Sequence, residues 1–66
     1  MLEKQRHLLM LDMLIENQFV TVKEFCCALN ASEATIRRDI IKLNNENKLK
    51  KIHGGAELKT NGRNFI

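Results

Sequence analysis

Ser32-Glu33-Ala34-Thr35-Ile36-Arg37-Arg38-Asp39-Ile40, followed after a short interval by Lys48-Leu49-Lys50-Lys51-Ile52-His53-Gly54-Gly55, is the stretch whose reading decides the fold. Ser32 starts a helix: its hydroxyl can accept from the backbone N–H of Thr35, and Glu33 places negative charge at the positive end of the helix dipole. At about 100° per residue, Ile36, Ile40 and Leu43 share one narrow sector, whereas Ala34 and Arg38 point the opposite way, flanked by Thr35 and Lys42. One face of this helix is core and the other is a cationic ridge. The helix should stop near Asn47, because Asn tolerates the left-handed cap conformation. Residues 48–52, then His53-Gly54-Gly55, then 56–59 read as strand, tight turn, strand, with Gly54 and Gly55 both supplying positive φ.

Upstream, Val20-Thr21-Val22-Lys23-Glu24-Phe25 contains a complete helix start. Thr21 and Glu24 form a reciprocal capping box, and Val20 is placed to staple onto Phe25. That helix begins at Val22 and runs only to about Leu29, since Asn30 suits a left-handed cap and Ser32 already caps the next helix. Two helices joined by Asn30-Ala31-Ser32 make a helix-turn-helix at about residues 22–46, with the hairpin at about 48–59 as its wing. Between Leu8 and Ile15 every residue except Asp12 is apolar. This predicts a first helix from about Glu3 to Asn17. Its apolar stripe is wider than one buried face needs, so some of Leu8, Leu9, Met10, Leu11, Met13, Leu14 and Ile15 should be left over on an exposed face, for a second subunit or another domain to cover.

A chain of 66 residues has room for one small domain, and such a chain buries only about 60% of its unfolded surface. It has no run approaching the roughly 18 apolar residues of a membrane span, and its start lacks the pattern of a secretory signal. A cytoplasmic protein is expected. Cys26 and Cys27 are adjacent, a poor geometry for a mutual bridge, and no second cluster gives metal-ligand spacing. Both are read as reduced, Cys26 packed where helices cross closely and Cys27 at least partly exposed. The net charge of +3 is unevenly shared: residues 1–31 carry −1 and residues 32–66 carry +4. The cationic half is also the half with the helix and hairpin, which points to an anionic partner.

These residues resemble the amino-terminal DNA-binding domain of DeoR-type bacterial transcription regulators. The resemblance covers about residues 3–58 and rests on Arg6-His7 before the apolar helix, Val20 to Phe25, Ser32 to Ile40, Leu43, and Leu49 to Ala56. Thr-Ile-Arg-Arg-Asp followed by His-Gly-Gly at this interval is the specific combination. The resemblance implies a mainly α winged helix-turn-helix, three helices plus a two-stranded β-wing. It also implies a repressor of carbohydrate or sugar-phosphate genes, whose phosphorylated sugar effector binds a carboxy-terminal domain not contained in this chain. Residues 60–66 would begin the linker to it. Two departures stand out: Gln18 and Asn47 occupy positions where glycine is usual. Asn47 can replace glycine at modest strain, whereas Gln18 leaves the first turn's conformation open.

Arg38 points directly away from the core, and Arg bidentate to guanine is the commonest specific contact in the major groove. Arg37 shares that surface but has Glu33 four residues earlier as a competing partner. Ser32 and Thr35 could donate to phosphate, Ser32 being equally explained as a cap, while Ala34 and Lys42 complete the exposed face. On the wing, Lys50, Lys51, His53 and Gly54 fit a phosphate or minor-groove contact. Asp39 is read as a structural acceptor for a neighbouring basic group, because a carboxylate facing phosphates would repel them. His7 is read as a helix-surface residue. No nucleophile, base and orienter come together in the sequence, so neither an enzyme nor a cofactor or metal in this part of the protein is expected. Double-stranded operator DNA is the expected partner, with a homo-oligomeric regulator but a mainly monomeric domain. A protein-interaction module would need an apolar or acidic patch where Arg37, Arg38 and Lys42 stand. An RNA binder would need stacking aromatics on the hairpin, and Phe19, Phe25 and Phe65 are elsewhere.

Overall fold

Six elements follow one another in the computed structural model, which describes residues 1–59: α1 (Glu3–Asn17), β1 (Phe19–Thr21), α2 (Val22–Leu29), α3 (Glu33–Asn45), β2 (Leu49–Ile52) and β3 (Gly55–Leu58). The expected linker at residues 60–66 lies outside the described residues. Local chemistry sets the helix ends. The Thr21 hydroxyl accepts from the Glu24 N–H at 3.1 Å, and the Glu24 carboxylate accepts from the Thr21 N–H at 2.8 Å, closing the predicted box. Ser32 caps α3, accepting from the Thr35 N–H at 3.2 Å. Asn30 (φ 54°) and Asn47 (φ 62°) turn the chain out of α2 and α3 in the left-handed region. Behind each, the next residue's N–H reaches back to a helix carbonyl, Ala31 to Cys26 at 3.2 Å and Lys48 to Leu43 at 2.9 Å. These bonds satisfy carbonyls that helix ends otherwise leave open.

The wing is wider than a hairpin. β3 pairs antiparallel with β2, as expected, and also with β1, so the sheet order is β1-β3-β2. Val20 and Lys51 sit opposite Ala56 from its two sides. Only Gly54 has positive φ, at 80°. Gly55 is needed for a different reason from the one expected: a Cβ there would lie 2.3 Å from the Val20 carbonyl oxygen, so it is the lack of a side chain that lets β1 close on β3. At the other end of β1, Gln18 takes φ 67° and ψ −34°, a costly conformation for a non-glycine residue. It is held from both sides, its N–H donating to the Leu14 carbonyl at 2.7 Å and its carbonyl accepting from the Leu58 N–H at 2.7 Å.

Helices and sheet close over one core: Met10 and Leu14 from α1, Val20 from β1, Val22, Phe25 and Leu29 from α2, Ile36, Ile40 and Leu43 from α3, with Leu49 and Ala56 from the sheet. Leu11, Met13, Cys26, Ala31 and Leu58 pack against it. The surplus expected on α1 is there, Leu8 being 60% and Ile15 63% exposed. Cys26 is half-buried, Cys27 is exposed, and both are free thiols. Burial raises the Cys26 thiol's pKa above its ordinary value, which leaves it a packing residue.

Candidate nucleic-acid interface

The outer face of α3 can meet a partner only if its inner face is fixed, and the fixing charge is Asp39. Among the described residues it is the only buried polar or charged side chain. Arg6 of α1 grips it bidentately, Nε donating to Oδ2 and Nη2 to Oδ1, the latter at 3.0 Å. His7 adds a third bond, Nε2 to Oδ1 at 3.0 Å, with Glu3 Oε2 also 3.9 Å from that nitrogen. Both neighbours of Nε2 are carboxylate oxygens, so the ring hydrogen belongs there. Burial pushes the Asp39 carboxyl's pKa up, but the bonds from Arg6 and His7 outweigh it and hold the pKa below the ordinary aspartate value. Asp39 is therefore the structural acceptor expected. His7 departs from expectation: it faces α3 rather than water, because its carboxylate partner comes from a helix 32 residues away. Glu3, His7 and Asp39 place their ligand atoms within 4.8 Å of one another, but Arg6 holds Asp39 and Lys42 Nζ donates to Glu3 at 2.7 Å. The two carboxylates are neutralised by two cations, so the group forms a salt-bridge network between α1 and α3.

With α3 so anchored, its outward side carries Ser32, Ala34, Arg37 and Arg38, all exposed, with Thr35 half-buried beside them. Ser32 Oγ also donates to Thr35 Oγ1 at 3.0 Å, so these two hydroxyls are tied to each other and to the helix start. Arg37 lies 3.3 Å from Glu33, the competing intrahelical pair. Arg38 has no salt-bridge partner among the described residues. Between α3 and the wing runs an open cleft of about 430 Å³ whose lining includes Arg37, Ile41, Lys51, His53 and Gly54. Helix and wing are tied by core packing of Ile40 and Leu43 with Leu49 and by the Lys51 N–H donating to the Asn44 side-chain oxygen at 3.1 Å. Ile41, 47% exposed, is the cleft's apolar wall.

Of the expected residues, Arg37, Lys51, His53 and Gly54 line this cleft, and Ser32, Ala34, Thr35 and Arg38 lie on the outward side of α3 beyond it, whereas Lys42 and Lys50 are held elsewhere by carboxylates. Lys42 turns toward α1 and its charge is spent on Glu3, which lowers the Glu3 pKa through that hydrogen bond. Lys50 lies on the other side of the hairpin, 3.7 Å from Glu57 across the β2–β3 ladder. Asn44, which bonds the helix to the wing, and Arg6, which anchors the helix, drew no functional assignment from sequence. Asn44 sits in the last turns of a helix with no local sign that its side chain reaches a strand.

Comparison with known proteins agrees with this architecture. The model of the DeoR-like helix-turn-helix domain matches residues 6–61. The chain is 51% identical over 63 residues to the HTH-type transcriptional regulator UlaR of Salmonella arizonae, and equally to those of Salmonella newport and Salmonella heidelberg. Those alignments cover 96% of this chain and 25% of each relative, so the chain spans about a quarter of the length of the curated relatives it matches. No solved structure matches. Among the described residues no helix is long and apolar enough to cross a membrane. The chain belongs to the DeoR-like helix-turn-helix family, a DNA-binding domain of transcription regulators.

Proposed function

We propose that this domain binds operator DNA with α3 in the major groove and the wing against the backbone. It serves a cytoplasmic, homo-oligomeric repressor of carbohydrate or sugar-phosphate metabolism genes. The effector, a phosphorylated sugar, binds a domain outside this chain; that part of the reading rests on family resemblance. One observation carries the DNA geometry: exposed Arg38 on α3, without an ion-pair partner among the described residues, beside a cleft that joins Arg37 to Lys51 and His53. Arg38 is the base-reading residue, Arg37, Lys51 and His53 meet phosphate or the minor groove, and Ser32, Thr35 and Gly54 offer hydroxyls and backbone at close approach. Ala34 is small enough to let the helix sink into the groove. Lys42 and Lys50 contribute only by exchanging Glu3 and Glu57 for phosphate.

A mobility shift with duplex DNA from the regulator's own promoter tests this. Unlabelled promoter duplex should compete well, unrelated duplex weakly, and single-stranded or duplex RNA no better than unrelated DNA. RNA competing as well as the promoter, or no shift at low salt, overturns the reading.

A further inference from the structure

The outer side of α1 takes no part in the core or in the proposed DNA surface. Leu8 and Ile15 are exposed there, as are Lys4 and Asp12, neither of which has a salt-bridge partner among the described residues. At about 100° per residue, Lys4, Leu8, Asp12 and Ile15 fall within a sector of about 80°, with half-buried Leu11, which packs against the core, at its edge. Their order is symmetric about Leu8: Lys4 stands four residues before it and Asp12 four after, while Met1 stands seven before and Ile15 seven after. Leu8 is also the ridge between two shallow clefts. One is lined by Met1, Gln5, Leu8 and Leu9, and the other includes Lys4 and Leu11 in its lining.

A face that reads cation, leucine, anion along one stripe is complementary to itself when turned end for end. We infer that α1 is a pairing surface for a second copy of this chain, the two helices antiparallel about a two-fold axis at Leu8. Leu8 then meets its own copy, Lys4 faces Asp12 of the second copy, and Ile15 enters the second copy's cleft between Met1 and Leu8, as an isologous contact requires. Parallel pairing would set Lys4 on Lys4 and Asp12 on Asp12, so charge selects the antiparallel form. Sliding the register by one turn would set Asp12 against Leu8. A helix of 15 residues is about 22 Å long, too short to bury the roughly 800 Å² per partner of a standard interface. The contact is therefore weak between free domains. It becomes populated where two domains are held at the millimolar effective concentration of a short linkage. The α1 face requires nothing of the DNA surface.

Sedimentation equilibrium of the chain without DNA, from micromolar to millimolar concentration, tests the pairing. The expected result is a monomer at micromolar concentration that self-associates in the millimolar range. Lys4→Asp and Asp12→Lys should each raise the dissociation constant about tenfold, since each turns two exposed ion pairs per dimer into like-charge contacts. The double variant carrying both changes should return it to the starting value. Circular dichroism and melting of all three variants check that the helix is intact, as these surface positions allow. A chain that stays monomeric at millimolar concentration, as it would if another domain covered α1, overturns the inference. So does association indifferent to the reversals, or a double variant that fails to recover.

Discussion

Asp39 is a charge removed from water, and Arg6 and His7 are what make that tolerable. Removing the carboxylate by Asp39→Ala leaves Arg6 facing the core without a counter-ion. Breaking a buried pair this way costs about 3–5 kcal/mol, and the lower end applies because the Arg6 side chain keeps 16% exposure and can reach water. Urea denaturation measures the loss. The depressed Asp39 pKa also has a direction in pH. Its stabilising contribution is fully present above the unfolded aspartate value of about 3.9 and disappears as pH falls through the lower folded value. Asp39→Asn should therefore start less stable and lose less between pH 5 and strongly acidic conditions than the parent chain, read from denaturation midpoints across that range. Arg38 belongs to the same scale. Arg38→Ala should lower affinity for operator by about 1–3 kcal/mol while barely changing binding to random duplex, because a lost base contact costs discrimination. Equal losses on both would make Arg38 a phosphate ligand. That Asp39 accepts from a basic neighbour was legible, since the alternative put a carboxylate against phosphate. Which neighbour was not: Arg6 lies 33 residues away in sequence, and no local pattern announces a contact between two helices.

Helix boundaries were readable because caps are local. Thr21, Glu24, Asn30 and Ser32 act over three to five residues, and the structure ends and begins its helices at them. β1 was not legible as a strand: three residues carry too little alternation, and its partner β3 is 36 positions on. Gly55 shows the consequence. Gly55→Ala should cost about 1–3 kcal/mol, the range for forcing atoms into a filled space, because the added methyl meets backbone that cannot rotate away. Thermal melting checks it, and the same change at open Gly54, where nothing lies within 4 Å, should act through φ alone. The two wing lysines also separate at this level. Lys51→Ala should weaken binding to all sequences and flatten the log–log salt dependence by up to about one unit. Lys50→Ala should do less, since that lysine sits by Glu57 rather than in the cleft. Titrations at several salt concentrations decide, and equal slopes for both variants and the parent would remove the wing from the interface.

The charge asymmetry of the whole chain was visible in its sequence, but not how much of it is spent internally. Glu3 takes up Lys42 from 39 residues away and Glu57 takes up Lys50 across the hairpin, which leaves Arg38, Lys51 and His53 on the proposed DNA surface without ion-pair partners among the described residues, with Arg37 beside them held only by exposed Glu33. One such surface reads one half-site. Joining two copies by a flexible linker that spans half-sites one helical turn apart should tighten binding by about 10²–10⁴-fold over the single domain. Fluorescence anisotropy on single and paired sites measures the gain. No gain would mean that the domain's site is not repeated at that spacing.

The strand at the centre of the sheet is also the last of the six elements along the chain. During synthesis, at about 5–20 residues per second, α1, α2 and α3 emerge first and can begin to pack. β1 and β2 have no ladder until residues 55–58 arrive between them, and the Gln18 carbonyl waits for the Leu58 N–H as well. A nascent chain halted before Gly55 therefore holds its three helices without the strand that ties the end of α1 to the wing, and becomes resistant to protease in a single step when β3 leaves the ribosome.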